Sequence, residues 1–174
     1  VVLPPELVFI GDRAKGNPKN ATGNHDLVQF SLSGQRYPLA TCNDGTDAVF
    51  YVGNRITTST EWVIQLGGVG GCDTETRCDA RANESPWSVG SFMWPKKIYG
   101  MTLMSTDPNK NIRLHAAHHV FMPYCSSDFW LGNRTASKGT PRGFHFRGKP
   151  IFQGMVRALV SDHGLDKRAT RVIL

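Results

Sequence analysis

No run of about 18 apolar residues occurs in the 174-residue chain, so no helix of it is expected to span a membrane. Its start, Val1-Val2-Leu3-Pro4-Pro5, has neither the basic head nor the apolar core of a secretion leader; a leader, if the protein had one, has already been removed. There is no CxxC pair of the kind that holds zinc, and Cys42 and Cys125 stand far from other cysteines. Read from Gly68, a dinucleotide-type GxGxxG meets Asp73 where its last glycine belongs, and no Lys-Ser/Thr follows to make a phosphate loop. His115, His118 and His119 form HxxHH, which lacks the i, i+4 spacing and glutamate of a helical zinc site and borders a strand; they read as packing or surface residues. No metal and no cofactor are expected. The most consequential gap is the absence of G-x-S-x-G. Ser126 and Ser127 lack the flanking glycines that a strained nucleophile elbow needs, so neither reads as a nucleophile.

What is present describes a globular, exported protein. Hydrophobic residues make up 40% and charged residues 20%, a composition that buries a core and not one of a disordered chain. The net charge is +6 with a pI near 9.4, but the bases are scattered and not interleaved with aromatics. They read as a solvated basic face, suited at most to acidic polysaccharide or an anionic membrane; nucleic acid is not expected. The cysteine count is even, and three Asn-X-Ser/Thr sequons, at Asn20, Asn83 and Asn133, accompany it. Together they point to the secretory pathway and to two disulfides. Five residues separate Cys72 from Cys78, which suits a small disulfide loop.

Residues 1–25 are rich in Pro and Gly and read as loop. Val28–Leu32 alternates like a strand, with Arg36–Thr41 as a hairpin partner after the Gly34-Gln35 turn. Asn43-Asp44-Gly45-Thr46 is a turn, Ala48–Val52 a strand, and Trp62–Leu66 a buried central strand. Residues 79–119 read as long and irregular, because Pro86, Pro95 and Pro108 interrupt them. Val120–Met122 is a short strand and 126–148 a loop. Ile151, Phe152, Met155, Val156, Leu159 and Val160 share one helical face, with Pro150 in the first turn and Gly164 past the end. Arg171–Leu174 then begins another strand. Strand, helix, strand predicts a βαβ crossover, hence parallel pairing in an α/β sheet.

Directly after the buried strand comes Leu66-Gly67-Gly68-Val69-Gly70-Gly71-Cys72. Glycines there leave backbone N–H groups open to a developing oxyanion, although a purely structural turn fits the same residues. Other segments join this one in a consistent order. Thr41–Thr46 resembles the "CxDGS" turn, and Leu66–Cys72 the "LEGGGWC" or "LEGGWYC" segment, of the pectin acetylesterase/Notum family of carboxylesterases. Cys78-Asp79-Ala80-Arg81 stands at the matching distance. Ser105-Thr106-Asp107-Pro108 is similar to that family's "SSDP", Pro123–Asp128 to its "PYCSSD", and Phe146-Arg147-Gly148 to its "FRG" ahead of a helix. The matches cover residues 41–174.

The resemblance implies an α/β-hydrolase-like fold, here its N-terminal portion: a mainly parallel sheet with flanking helices. Residues 1–40 would be an N-terminal arm with the first strands, and residues 41–174 the N-terminal part of the hydrolase domain, ending before the nucleophile elbow. It implies a secreted carboxylic ester hydrolase acting on acetylated pectin or an acylated protein, with an oxyanion hole built from the N–H groups of Gly68, Val69 and Gly70. The serine, aspartate and histidine of the triad would all follow Leu174, so this portion is catalytically incomplete; whether the protein is an enzyme turns on them. Gly67 stands where the family pattern has Glu, Val69 where it has Gly, and Gly71 where it has Trp, which removes a wall from the acyl pocket. The alternative is therefore a catalytically inactive extracellular structural or interaction subunit of hydrolase ancestry. Cys72 is expected to pair with Cys78 and Cys42 with Cys125. The apolar strand 171–174 is expected to abut the remainder of the same precursor or another polypeptide.

Overall fold

The computed structural model describes residues 26–54, 56–68 and 70–174. The expected loop at 1–25, the sequon at Asn20 and the oxyanion candidate Val69 lie outside them. Six strands form one sheet: β1 (Asp26–Ser31), β2 (Val49–Gly53), β3 (Glu61–Leu66), β4 (Lys97–Tyr99), β5 (His118–Met122) and β6 (Arg171–Ile173), in the order β4-β1-β2-β5-β3-β6. The helices are α1 (Glu75–Glu84), α2 (Gly148–His163) and α3 (Leu165–Arg168).

The sheet is mixed, not mainly parallel. β1 pairs antiparallel with β2 and β4, and β2 with β5; only β3 is parallel to its neighbours β5 and β6. The division follows connection type, because only strands joined by long crossovers can run parallel. The crossover from β5 through α2 to β6 is present, but it passes over β3, which lies between the two strands.

Two expectations fail locally. Arg36–Thr41 is not the partner of β1; residues 33–40 form turns, and Leu32 donates to the Ala48 carbonyl so that β2 takes the pairing. Pro38 has no N–H to give a ladder there. Residues 79–119 are not wholly irregular, since α1 reaches Glu84. Its only buried residue is Cys78, so no apolar stripe announced it. It is held instead by its cap, Thr74 accepting from the Arg77 N–H, by Glu75 in the first turn and by Arg81 in the last.

The two faces of the sheet are covered differently. Ile151, Met155 and Leu159 of α2 are fully buried against Phe50, Trp62, Ile64, Val120 and Met122. Each such side chain contributes roughly 1.5–3 kcal/mol by leaving water. Gly164, at φ 69, takes the left-handed cap that ends α2. On the opposite face no α-helix packs among the described residues; Met104, at the end of a short 3-10 turn, with Leu114 and Ala117 covers Tyr51 and Val63. β3 and β5 are adjacent and parallel, so the segments that follow Leu66 and Met122 leave the same end of the sheet. Open α/β sheets place ligands outside the carboxyl ends of such strands.

Candidate functional site

The glycine segment leaves β3 at this end of the sheet. Gly67 is fixed, its N–H donating to the Met122 carbonyl at 2.7 Å. Gly68 and Gly70 then adopt φ of +79° and +88°, the left-handed region that side chains rarely enter. No hydrogen bond joins the N–H of either residue to another described residue. Gly68 is also pressed against Tyr124, where an added Cβ would come within 2.4 Å of the tyrosine Cβ. Gly68→Ala is therefore expected to cost at least about 2 kcal/mol from backbone strain and overlap, read as a shift of the urea midpoint. A neutral substitution would mean that the loop is not held as described.

The segment after β5 grips this loop from the side. The Cys72 N–H donates to the Ser127 carbonyl, and the Phe129 N–H to the Tyr124 hydroxyl. Burial pushes the Tyr124 phenol up to about 12, so it is neutral at ordinary pH. The Arg81 guanidinium lies 5.6 Å from its ring centroid, and burial lowers that group's pKa. Asp128 accepts from Ser126 Oγ (2.7 Å), from the Trp130 N–H (3.1 Å) and from the Gly148 N–H at the start of α2 (2.6 Å). Its carboxylate thus both caps the helix and holds the loop. Asn43, buried, donates to the carbonyls of Ser126 and His145 and accepts from Ser127 Oγ. The disulfides are Cys42–Cys125 and Cys72–Cys78. The first fastens the Asn43 turn to this segment, and the second closes the chain between the glycine loop and α1.

Ser126 and Ser127 are buried, and their hydroxyls are spent as donors to Asp128 and Asn43. That geometry suits scaffolding and leaves neither oxygen poised to attack a substrate. The histidines also pack. His118 stacks on Trp62 at 4.3 Å, His119 is buried with Nε2 2.8 Å from the Leu114 carbonyl, and His115 Nδ1 lies 3.3 Å from the Ile112 carbonyl. Among the described residues no group of His, Cys, Asp and Glu is arranged to hold a metal.

Burial lowers the pKa of His118, His145 and His163, with nearby Arg168 or Arg147 adding to the effect. Each binds its proton more weakly folded than unfolded, so protonation favours the unfolded chain. Stability is expected to be complete above about pH 6.5, the ordinary histidine value, and to fall as the pH drops below it. Melting temperatures from pH 8 to 5 read this, and His163→Phe should flatten the slope. An unchanged slope would contradict the assignment for His163, which sits edge-on to Phe30 at 4.6 Å.

Beside the glycine loop lies an open cleft of about 530 Å³, bounded by Gly71, Cys72, Ser127, Phe129, Pro141 and Phe146. A Cβ on Gly71 would meet Phe129 Cε2 and the Ser127 carbonyl oxygen, each at 2.8 Å. A Cβ on Gly67 would meet the Phe121 ring at 2.7 Å. The glycines at these two positions are thus matched to their neighbours. Of the oxyanion candidates, Gly68 and Gly70 lie in the loop that follows β3, next to Gly71 at the edge of this cleft, and Val69 is outside the described residues. Of the sequons, Asn83 on α1 and Asn133 are exposed. The supporting roles of Asn43, Tyr124, Asp128 and Phe129 carry no local sequence signal, because their partners are five to more than eighty residues away, apart from the short-range contacts of Asp128 within its own loop.

The pectinacetylesterase family model matches residues 22–174. Palmitoleoyl-protein carboxylesterase notum2 of Xenopus laevis is 38% identical over 136 residues, 78% of this chain and 27% of that protein. The inactive palmitoleoyl-protein carboxylesterase notum1b of Danio rerio is 37% identical over 105 residues, 60% of this chain and 75% of that protein. The crystal structure of the Wnt deacylase Notum from Drosophila superposes with a TM-score of 0.76 at 28% identity, covering 85% of this chain and 41% of that one. The chain thus spans about a quarter of the length of the first curated relatives it matches.

Proposed function

The chain belongs to the pectinacetylesterase family, and from that premise we propose that it supplies the oxyanion-binding scaffold of a secreted carboxylic ester hydrolase. The observation that carries this is the pair of N–H groups at Gly68 and Gly70, held in left-handed backbone just past the C-terminal end of β3 with no described partner. When a nucleophile adds to an ester carbonyl, the carbonyl oxygen becomes an oxyanion. Fixed donors aimed at that oxygen stabilise it without reorganising. Val69, between the two glycines, is proposed as the third donor.

The sheet register supports a place for the nucleophile. Ile173 of β6 is opposite Val63 of β3, and Leu66 lies three residues further on (66 − 63 = 3). A strand continuing in that register would reach the level of the glycine loop three residues after Ile173. A serine on the turn beyond it would face the Gly68 and Gly70 donors, with its activating base also supplied from beyond β6. Among the described residues β6 ends the strand order, and its outer edge is proposed to pair with further polypeptide of the same precursor or of another chain. Two disulfides and the exposed sequons at Asn83 and Asn133 support secretion. Acetylated pectin and an acylated protein are the proposed substrate classes.

A second reading has its own support, since this chain covers 75% of a relative whose name calls it inactive. Hydrolysis of acyl esters by the whole natural protein separates the two. The esterase reading expects turnover, with Gly68→Ala, which keeps the N–H but displaces it from its left-handed placement, lowering kcat toward the roughly 100-fold that loss of an oxyanion donor costs. No turnover of acetyl, butyryl or longer esters favours the inactive subunit.

A further inference from the structure

Resting on that esterase reading, we infer that Arg81 is a positioning residue for the reaction: its guanidinium, set between the Tyr124 ring and Gly70, holds in place the turn whose N–H groups bind the oxyanion. Glu75, Arg77 and Asp79 of α1 meet partners at the surface, Arg142 and Asp73. Arg81 is half-buried instead. It follows Cys78, the buried residue of the helix, by three positions, which puts the two on one side of α1. The Cys72–Cys78 bridge draws that side onto the end of the glycine segment.

There the guanidinium meets two groups at once. Its carbon lies 5.6 Å from the Tyr124 ring centroid, a cation on an aromatic face. Its Nη1 is 3.1 Å from where a Cβ on Gly70 would stand. Tyr124 in turn backs Gly68, where an added Cβ would come within 2.8 Å of the ring carbon Cδ1, and its hydroxyl accepts from the Phe129 N–H. The ring therefore supports one donor residue and the guanidinium the other. A turn built from glycines needs such support, because glycine leaves the left-handed region as easily as it enters it. Hydrogen bonds fix the ends of the turn, Gly67 to the Met122 carbonyl and Cys72 to that of Ser127; Arg81 and Tyr124 act between them. Both contacts are made inside this region and do not depend on what covers its outer surface. Arginine suits the place, since its planar, permanently charged group stacks on a ring better than the hydrated ammonium of lysine. The oxyanion forms only as the nucleophile adds, so a displaced turn costs kcat and not substrate binding.

Two measurements test this on the whole natural protein, with Arg81→Met, which keeps the length of the side chain without its charge, and the conservative Arg81→Lys. The first is kcat and KM for acetyl and butyryl esters. Arg81→Met is expected to lower kcat about tenfold, less than the roughly 100-fold of a lost donor, with KM unchanged and Arg81→Lys recovering part of the loss. The second needs no turnover: hydrogen exchange, followed by mass spectrometry of the peptide around residues 66–73, reads the bonded N–H groups of Gly67 and Cys72. Their exchange should quicken about tenfold in Arg81→Met, while peptides of α2 exchange as in the wild type. Absence of turnover with quickened exchange of this segment alone would end the esterase reading and leave Arg81 as the brace of the turn. An unchanged kcat, a rise in KM alone, Arg81→Lys no better than Arg81→Met, exchange of the segment indifferent to Arg81, or exchange quickened equally in α2 would each overturn the assignment.

Discussion

Replacing Cys42 and Cys125 together by alanine is expected to cost about 4–5 kcal/mol, the largest loss from any change in this region. The bridge joins residues 83 apart, and the entropy that a cross-link removes from the unfolded chain grows with the loop it closes. Cys72–Cys78 spans only six, for which the same relation gives about 2.2 kcal/mol. The difference should appear as a fall in melting temperature on the order of 10–15 °C for the first pair and about half that for the second. Position matters as well as loop length. Cys42 and Cys125 lie in the main core with Trp62 and Met155, whereas Cys72 and Cys78 belong to a small satellite cluster with Val89 and Phe144. Equal losses from the two pairs would contradict this account of what fastens the site to the sheet.

Asn43→Ala is expected to rank next, at on the order of 3–5 kcal/mol. The side chain is 1% exposed and makes three hydrogen bonds, to the carbonyls of Ser126 and His145 and from the Ser127 hydroxyl. Alanine orphans all three partners, and a buried polar group left unpaired costs about 1–3 kcal/mol. Asn43→Asp keeps the acceptor for Ser127 but turns a carboxylate toward two carbonyl oxygens, so it should be no better. Ser127→Ala removes one of the three bonds and should cost about 1 kcal/mol. Urea denaturation of the oxidised protein ranks the three variants. A mild Asn43→Ala would mean that the turn and the 126–128 segment hold together without it.

The elements that could be read from sequence are those whose cause is local. α2 was legible because Ile151, Met155 and Leu159 recur on one face between Pro150 and Gly164, and all three are buried. β3 was legible as an apolar, β-branched run, and it is paired on both sides. α1 was not, since a helix burying only Cys78 has no apolar period to detect. The false hairpin at 36–41 and the excess of parallel pairing share a cause: alternation shows that a strand exists but not which strand it meets. The family resemblance supplied what periodicity could not, a reason to single out residues 67–71. It gave no hint of Phe129 over Gly71, because that contact depends on a loop 58 positions away (129 − 71 = 58).

The central claim is that this region carries oxyanion donors and scaffold while the nucleophile comes from elsewhere. Covalent labelling by a fluorophosphonate, followed by peptide mapping of the adduct, tests it most directly on the 174-residue chain and on the whole natural protein. The account predicts no adduct on residues 1–174 in either sample; any labelling of the whole protein should fall on a serine following β6. An adduct on Ser126 or Ser127 would contradict it, because those hydroxyls would then be nucleophiles and not the buried donors to Asp128 and Asn43 seen in the structure.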